Sequence, residues 1–164
     1  MTIDVKSLAY RPCVGIMLLN ARGEVFVAQR IDSSGEAWQM PQGGIDDGEA
    51  PAAAAMRELE EEIGTNNAAI IAEHAEWIPY DLPEYLIKRL WKGQYRGQTQ
   101  KWFAMRFLGT DGEIDINTPE PEFNAWRWAP MAELLDLVVP FKRHVYADLV
   151  EAFGHLAEAQ DSGS

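Results

Sequence analysis

Hydrophobic and polar positions along the chain follow two periods, and each change of period marks an element. Pro12 to Asn20 is a largely apolar run of strand length, the pattern of a strand buried on both faces. Gly23 ends a turn, and Glu24 to Arg30 alternates around Val25 and Val27, which predicts a second strand and a hairpin joining the two. Asp32 to Glu36 reads as turn material and Trp38 to Pro41 as a short extended stretch. Gln42-Gly43-Gly44 reads as a flexible loop and Asp46-Asp47-Gly48 as a turn. The segment from Ala52 to Ile63 is strongly helical by propensity, with Pro51 suited to the first turn and Gly64 to the stop. Further strands are predicted over Ala68 to Trp77, Thr99 to Leu108 and Phe123 to Trp128. Glu133 to Leu137 predicts a short helix, and Phe141 to Ala157 a longer amphipathic one with Val145, Leu149 and Phe153 on one face. Strands around a central and a final helix predict an α+β architecture, a sheet sandwiched between helices. The expectation is one domain over residues 1–164, with its core over roughly 10–156 and a short disordered C-terminal tail.

Charge and cysteine usage narrow the function. A net charge of −12 argues against broad, non-specific binding to nucleic acid, DNA included, or to an anionic membrane, and still allows a local positive pocket. Basic residues gather at Lys88, Arg89, Lys92, Arg96, Lys101 and Arg106, and again at Lys142 and Arg143. For most of these, solvated surface is the simpler account. Asp148, Glu151, Glu158 and Asp161 suggest an exposed helix face and a frayed tail. No apolar run approaches the ~20 residues of a membrane span, and Met1 to Lys6 does not look like a secretory signal. A single cysteine, Cys13, allows no internal disulfide, so a cytoplasmic location is expected. Within its apolar run Cys13 suits a small core side chain better than a nucleophile. Three histidines and one cysteine are too few for a zinc site.

The chemistry gathers between Gly43 and Thr65, GGIDDGEAPAAAAMRELEEEIGT. With Glu58 at zero on a helical wheel, Glu62 lies near about 40° and Glu61 near about −60°. Three carboxylates thus share one arc. Ala52, Ala55, Met56, Leu59 and Ile63 occupy the neighbouring arc and can enter a core, while Glu60 points away. Like charges so placed repel by a few tenths of a kcal/mol per pair, and more where solvent is excluded. A bound cation removes that penalty, and oxygen ligands suit Mg²⁺ or Mn²⁺. A metal ion beside a polyphosphate is an arrangement for hydrolysis at phosphorus. An isolated E-x-x-E-E would instead be a solvated acidic face.

The surroundings decide between these readings. Gly43, five residues, Glu49, seven residues, then Arg57-Glu58-Leu59-x-Glu61-Glu62-x-Gly64 matches the Nudix box. Thr65 departs from it, standing where a bulky aliphatic is usual. Resemblance extends from about Tyr10 to Phe153. It rests on Tyr10-Arg11-Pro12, Trp38-Gln39-Met40-Pro41-Gln42-Gly43-Gly44-Ile45-Asp46, Tyr80-Asp81-Leu82-Pro83 and Gly97-Gln98-Thr99-Gln100-Lys101-Trp102-Phe103. Glu122-Phe123-x-x-Trp126-Arg127-Trp128 and Phe141-Lys142-Arg143-x-Val145-Tyr146 complete it. The chain resembles the Nudix branch of bacterial RNA 5′-pyrophosphohydrolases and dinucleoside polyphosphate hydrolases. That resemblance implies an α/β/α sandwich around a mixed, curved sheet and Mg²⁺-dependent hydrolysis of a phosphoanhydride.

It further implies metal ligation by Glu58, Glu61, Glu62 and Glu122, with Glu120 the weaker match for the last, and a backbone carbonyl from Gly43 or Gly44. Glu58 is the candidate base. Glu49 is expected to brace the loop or Arg57 rather than to ligate. Arg11, Arg30, Tyr80, Gln98 and Lys142 resemble contacts to the polyphosphate or the next nucleotide, and Phe141 an aromatic on which the first base stacks. Trp126 and Trp128 are expected to pack. Two substrates stay open: a 5′-triphosphate RNA converted to the monophosphate, or diadenosine tetraphosphate cleaved to ATP and AMP. A non-catalytic nucleotide- or RNA-binding module is the contrasting class, and it is disfavoured by the presence of all four acids.

Overall fold

The computed structural model describes residues 5–31, 37–87, 89 and 93–157. The predicted turn at 32–36, Lys88 and Lys92 of the basic stretch, and Glu158 and Asp161 of the tail lie outside the described residues. Its strands are β1 (Ala9–Leu19), β2 (Val25–Arg30), β3 (Gln42–Gly44), β4 (Ala68–Glu73), β5 (Ile78–Asp81), β6 (Tyr95–Phe107) and β7 (Phe123–Ala129). Its α-helices are α1 (Pro51–Ile63), α2 (Glu84–Ile87), α3 (Leu134–Leu137) and α4 (Arg143–Phe153). The strands form one mixed, open sheet in the order β4-β6-β1-β2-β7, with β3 beside β1 and β5 beside β6. Only β1 and β6 run parallel, in continuous register from Tyr10 opposite Gly97 to Leu19 opposite Arg106.

Alternation along the central strands builds two cores, as period-two geometry requires. Val14, Ile16 and Leu18 of β1, with Phe103, Met105 and Phe107 of β6, pack on Ala54, Ala55, Leu59 and Ile63 of α1. Met17 and Leu19, with Trp102 and Ala104, face Val145, Tyr146, Leu149 and Phe153 of α4 on the other side. The architecture is the expected helix–sheet–helix sandwich. Among the described residues no helix is long and apolar enough to cross a membrane.

Several local expectations are corrected. The β1–β2 pair is joined only at its base, with Leu19 opposite Val25. Beyond that point the two strands part and residues 39–44 fill the gap. Gln39 and Ala28 exchange backbone hydrogen bonds of 2.9 Å, the Ile16 N–H donates to the Pro41 carbonyl at 2.9 Å, and β3 pairs with Cys13 to Gly15. Gln42-Gly43-Gly44 is therefore a strand rather than a flexible loop, because the open edge of β1 supplies backbone partners that no local pattern announces. The stretch read as one strand from Ala68 to Trp77 stops at Glu73. A turn follows, held by the Glu76 N–H donating to His74 Nδ1 at 3.2 Å, and β5 then resumes along the same edge of β6. The last helix starts at Arg143, after a 3₁₀ turn over Pro140–Lys142, and ends at Phe153. On α1 the buried set includes Ala54, while Ala52 is exposed.

Gly15 of β1 lies opposite Trp102 of β6, and a Cβ there would drive into the indole ring. Trp102 is fully buried, so it has no space to retreat into. A Gly15→Ala substitution is expected to cost about 1–3 kcal/mol, lowering the melting temperature by roughly 2–4 °C per kcal/mol. Unchanged thermal unfolding would show that the ring can yield.

Candidate active site

Helix α1 positions the acids. It opens with Pro51 and closes at Gly64, whose φ of 79° is a left-handed cap and whose N–H donates to the Glu60 carbonyl. Burial of Leu59 and Ile63 rolls the acidic arc partly inward, so the three carboxylates meet different environments. Glu62 is 4 % exposed, Glu58 is half-buried, and Glu61 lies out in solvent. Glu60 is exposed, as the wheel requires.

Arg57 fixes this helix to the loop before it. Its Nε and Nη2 donate to the two oxygens of Glu49, both at 2.8 Å, and Nη2 also donates to the Gly44 carbonyl at 3.0 Å. Nη1 reaches Glu58 at 3.0 Å and Glu61 at 3.1 Å. Glu49 in turn accepts from the Asp46 N–H at 3.1 Å, so it braces both the loop and Arg57. These bonds hold its carboxyl down at about 2, the Arg57 hydrogen bonds first among the causes. The bidentate fork explains why a guanidinium serves here.

Opposite charges are scarcer on the inner side. Burial pushes the Glu58 carboxyl up to about 7, Arg57 opposes the shift, and Glu61 and Glu122 add to it. Burial also raises Glu62 well above the usual carboxylate range, with Glu122 and Glu58 as the next causes. One buried oxygen of Glu62, Oε2, has no hydrogen-bond partner. Glu122 precedes β7, anchored by its carbonyl accepting from Ile31, and its carboxylate lies 3.7 Å from Arg30. A Cβ on Gly43 would collide with the Glu58 carboxyl, so only glycine lets the strand pass this closely. Hard oxygen donors, an orphaned buried carboxylate oxygen and a glycine cradle suit a divalent cation. Among the described residues, no three acids already stand close enough to enclose one.

The other expected residues divide between two places. Arg30 stays with the acids. Arg11 lies across β3, pressed on Gly44, with Nη1 3.7 Å from the Cys13 sulfur. Lys142, buried at the end of the 3₁₀ turn, holds Nζ 5.4 Å from the Tyr80 ring centre and 6.0 Å from that of Phe141. Tyr80 and Phe141 lie 5.9 Å apart. Tyr80 of β5 is in register with Gln98 of β6, and both are buried, so they can offer a ligand only their polar tips. Phe141 keeps an exposed part. Trp126 stacks on Phe26 at 5.4 Å and Trp128 meets it edge-on at 6.0 Å, which makes both packing residues. Cys13 is wholly buried and burial pushes its thiol up to about 11, consistent with a core side chain.

Sequence reasoning passed over Gln42 and Gln100, both buried and joined by a 2.9 Å hydrogen bond. A signal existed: Gln98 and Gln100 share the strand phase of Trp102 and Ala104, so two amides fall where the pattern calls for apolar side chains.

Glu62 is costly to the protein without a cation. A group whose folded pKa is raised contributes stability while protonated, and that contribution is lost as pH rises through the raised value. Glu62→Gln is a neutral mimic of the protonated acid. The metal-free variant is expected to melt a few degrees above wild type, with the gain growing from pH 5 to pH 9. Calorimetry in chelator checks this; equal melting temperatures at pH 9 would mean that the buried charge is not strained.

A NUDIX domain model matches residues 9–149. A relative from Roseobacter denitrificans called RNA pyrophosphohydrolase is 57% identical over 152 residues, covering 92% of this chain and 95% of its own. One from Rhodospirillum rubrum, with the same name, is 57% identical over 158 residues, covering 96% and 95%. Among solved structures, the Escherichia coli dihydroneopterin triphosphate pyrophosphohydrolase superposes with a TM-score of 0.66 at 20% identity, covering 88% of this chain and 99% of that one. A Caenorhabditis elegans Ap4A hydrolase superposes at 0.60 with 15% identity, covering 87% and 98%. At such identities these two attest the fold alone. Members of the family generally use divalent cations. The box of acids on α1, the sandwich that carries it and the family match agree: this chain belongs to the NUDIX domain family of hydrolases.

Proposed function

We propose that this protein is an RNA 5′-pyrophosphohydrolase, which hydrolyses a phosphoanhydride of a triphosphorylated 5′ end and leaves a monophosphate. One arrangement carries the reading. Glu58 lies against Gly43, Glu62 keeps a buried, unpartnered carboxylate oxygen, and both feel the charge of Glu122, while Lys142 lies beside the rings of Tyr80 and Phe141. Relatives more than half identical over nearly the whole chain bear the corresponding name.

In this reading Glu58, Glu61, Glu62 and Glu122 would hold Mg²⁺, or Mn²⁺, together with a backbone carbonyl of Gly43 or Gly44. A divalent cation in that position supplies positive charge against the polyphosphate and makes water a better nucleophile. Glu58, which accepts from Arg57 at 3.0 Å, would be the base that takes the proton of the attacking water. Arg11, Arg30 and Lys142 bind phosphate oxygens, Tyr80 and Gln98 donate to them, and the exposed part of Phe141 stacks on the first base. The overall charge of −12 restricts the grip to the 5′ end and its first nucleotides. A substrate of this kind goes with action in the cytoplasm.

The test is a competition with Mg²⁺ between a short 5′-triphosphate RNA with unpaired first nucleotides and diadenosine tetraphosphate. RNA 5′-monophosphate is expected to form much faster than AMP. Faster AMP release would make the protein a dinucleoside polyphosphate hydrolase, and no turnover of either would point to a binding module. Glu62→Gln is expected to lower RNA turnover by at least about 10²-fold, a loss of the size seen when charge-stabilising groups are removed. Phe141→Ala is expected to raise KM by roughly 5- to 150-fold, the worth of one stacked base.

A further inference from the structure

Three glutamines and an indole form a branched chain of hydrogen bonds beside Tyr80. Trp102 Nε1 donates to Gln100 Oε1 at 3.0 Å. Gln100 Nε2 donates to Gln42 Oε1 at 2.9 Å and to Gln98 Oε1 at 2.8 Å. Gln42 also hydrogen-bonds Tyr80 through its side chain. Gln100 is 1 % exposed and Trp102 is fully buried, so water does not compete for these bonds.

An indole N–H can only donate. Its partner must therefore present an oxygen, which turns the Gln100 amide so that Nε2 faces the other two glutamines. Those must present oxygens in turn. Gln42 is then left its Nε2 protons for the Tyr80 hydroxyl, and the phenol keeps its own O–H to give away. Gln98, with Oε1 committed, has its Nε2 protons left for a ligand. One donor-only group thus sets the polarity of every amide in the chain, and both ends of the chain, Gln98 and Tyr80, finish as donors.

We infer that Trp102 and Gln100 are positioning residues that lock Gln98 and Tyr80 as hydrogen-bond donors toward a polyphosphate. The inference rests on the proposed function only in taking a polyphosphate as the ligand of Gln98 and Tyr80. Free glutamine amides can turn either face to a ligand, and half of those orientations would set an oxygen against an anion. The wiring removes the wrong half before the ligand arrives.

The test compares Gln100→Glu and Gln100→Leu. Glutamate has the same shape but accepts only, so Gln42 and Gln98 must reverse and Gln98 then offers oxygen to the phosphates. Leucine imposes no polarity. The probe is the imido analogue of inorganic tripolyphosphate, which resists hydrolysis, titrated calorimetrically with Mg²⁺ present. Affinity is expected to fall by a few fold in Gln100→Leu and by at least about tenfold in Gln100→Glu. In a Gln98→Leu/Tyr80→Phe background the further loss from either substitution is expected to vanish. A Gln100→Glu protein that binds like wild type would overturn the inference. So would equal losses with and without Gln98 and Tyr80, which would mark a through-space charge effect or general loosening. If the glutamate variant does not fold, Gln100→Leu in the two backgrounds decides by the same rule. Absence of binding by wild type would remove the inference together with the reading it rests on. Wild-type binding without hydrolysis of RNA would remove only the proposed function.

Discussion

Arg57 is the tie on which the site depends. Its guanidinium joins the loop carbonyl of Gly44, the loop acid Glu49 and two acids of its own helix within 3.1 Å. Helix α1 is driven onto the sheet by Leu59 and Ile63, but burial alone fixes only its depth. The polar tie fixes its rotation and its distance from β3, and so decides how near Glu58 comes to Gly43. The short fork to Glu49 does most of this work, since it is bidentate and charge-assisted on both sides. Asp46, 3.7 Å away, adds a longer-range contribution.

Strand β3 is the second constraint. It is one residue layer thick and belongs to both faces of the sheet. Gly43 turns toward the acids of α1, while Gln42 and Gly44 turn toward Arg11, Tyr80 and Gln100. The acids of α1 and the cationic and aromatic side chains of Arg11, Lys142, Tyr80 and Phe141 are thereby gathered around a single backbone. A chain of net charge −12 thus keeps positive side chains locally beside its acidic cluster. The position exists because β1 and β2 part after one pair and leave room for residues 39–44 between them.

How much of this was legible in the chain depended on whether a feature was local. The helix 51–63 could be read almost to its ends because Pro51, the alanines and Gly64 are local signals. The acids could be read from spacing, yet their unequal burial could not, since it depends on how far Leu59 and Ile63 sink against β1 and β6. Strand β3 was missed because two glycines signal freedom unless a neighbouring edge is known to need partners. The break at Glu73 was hidden for the same reason: one long strand, β6, supports two short ones, and nothing in 68–81 states the length of its partner. Gln98 and Gln100 are polar residues in apolar phase, a pattern that marks either an exposed face or a buried network, and only the packing decides.

Glu62 shows why the stable arrangement and the functional one differ. Removing a carboxylate from water is expensive unless its oxygens find partners, and Oε2 of Glu62 finds none within the described residues. Arg57 could relieve it only by giving up Glu49, which would release the loop that carries Gly43. Arg30, 3.7 Å from Glu122, lowers the cost through its charge but does not cancel it. Neither guanidinium donates a hydrogen bond to the orphaned oxygen of the innermost acid. Strain of this kind persists only where the surrounding structure over-determines it, and here the apolar face of α1 and the Arg57 fork together do so. Short of taking up a proton, the innermost acid gains relief only from a positive charge brought to it, which is the condition under which a divalent cation would contribute stability as it binds.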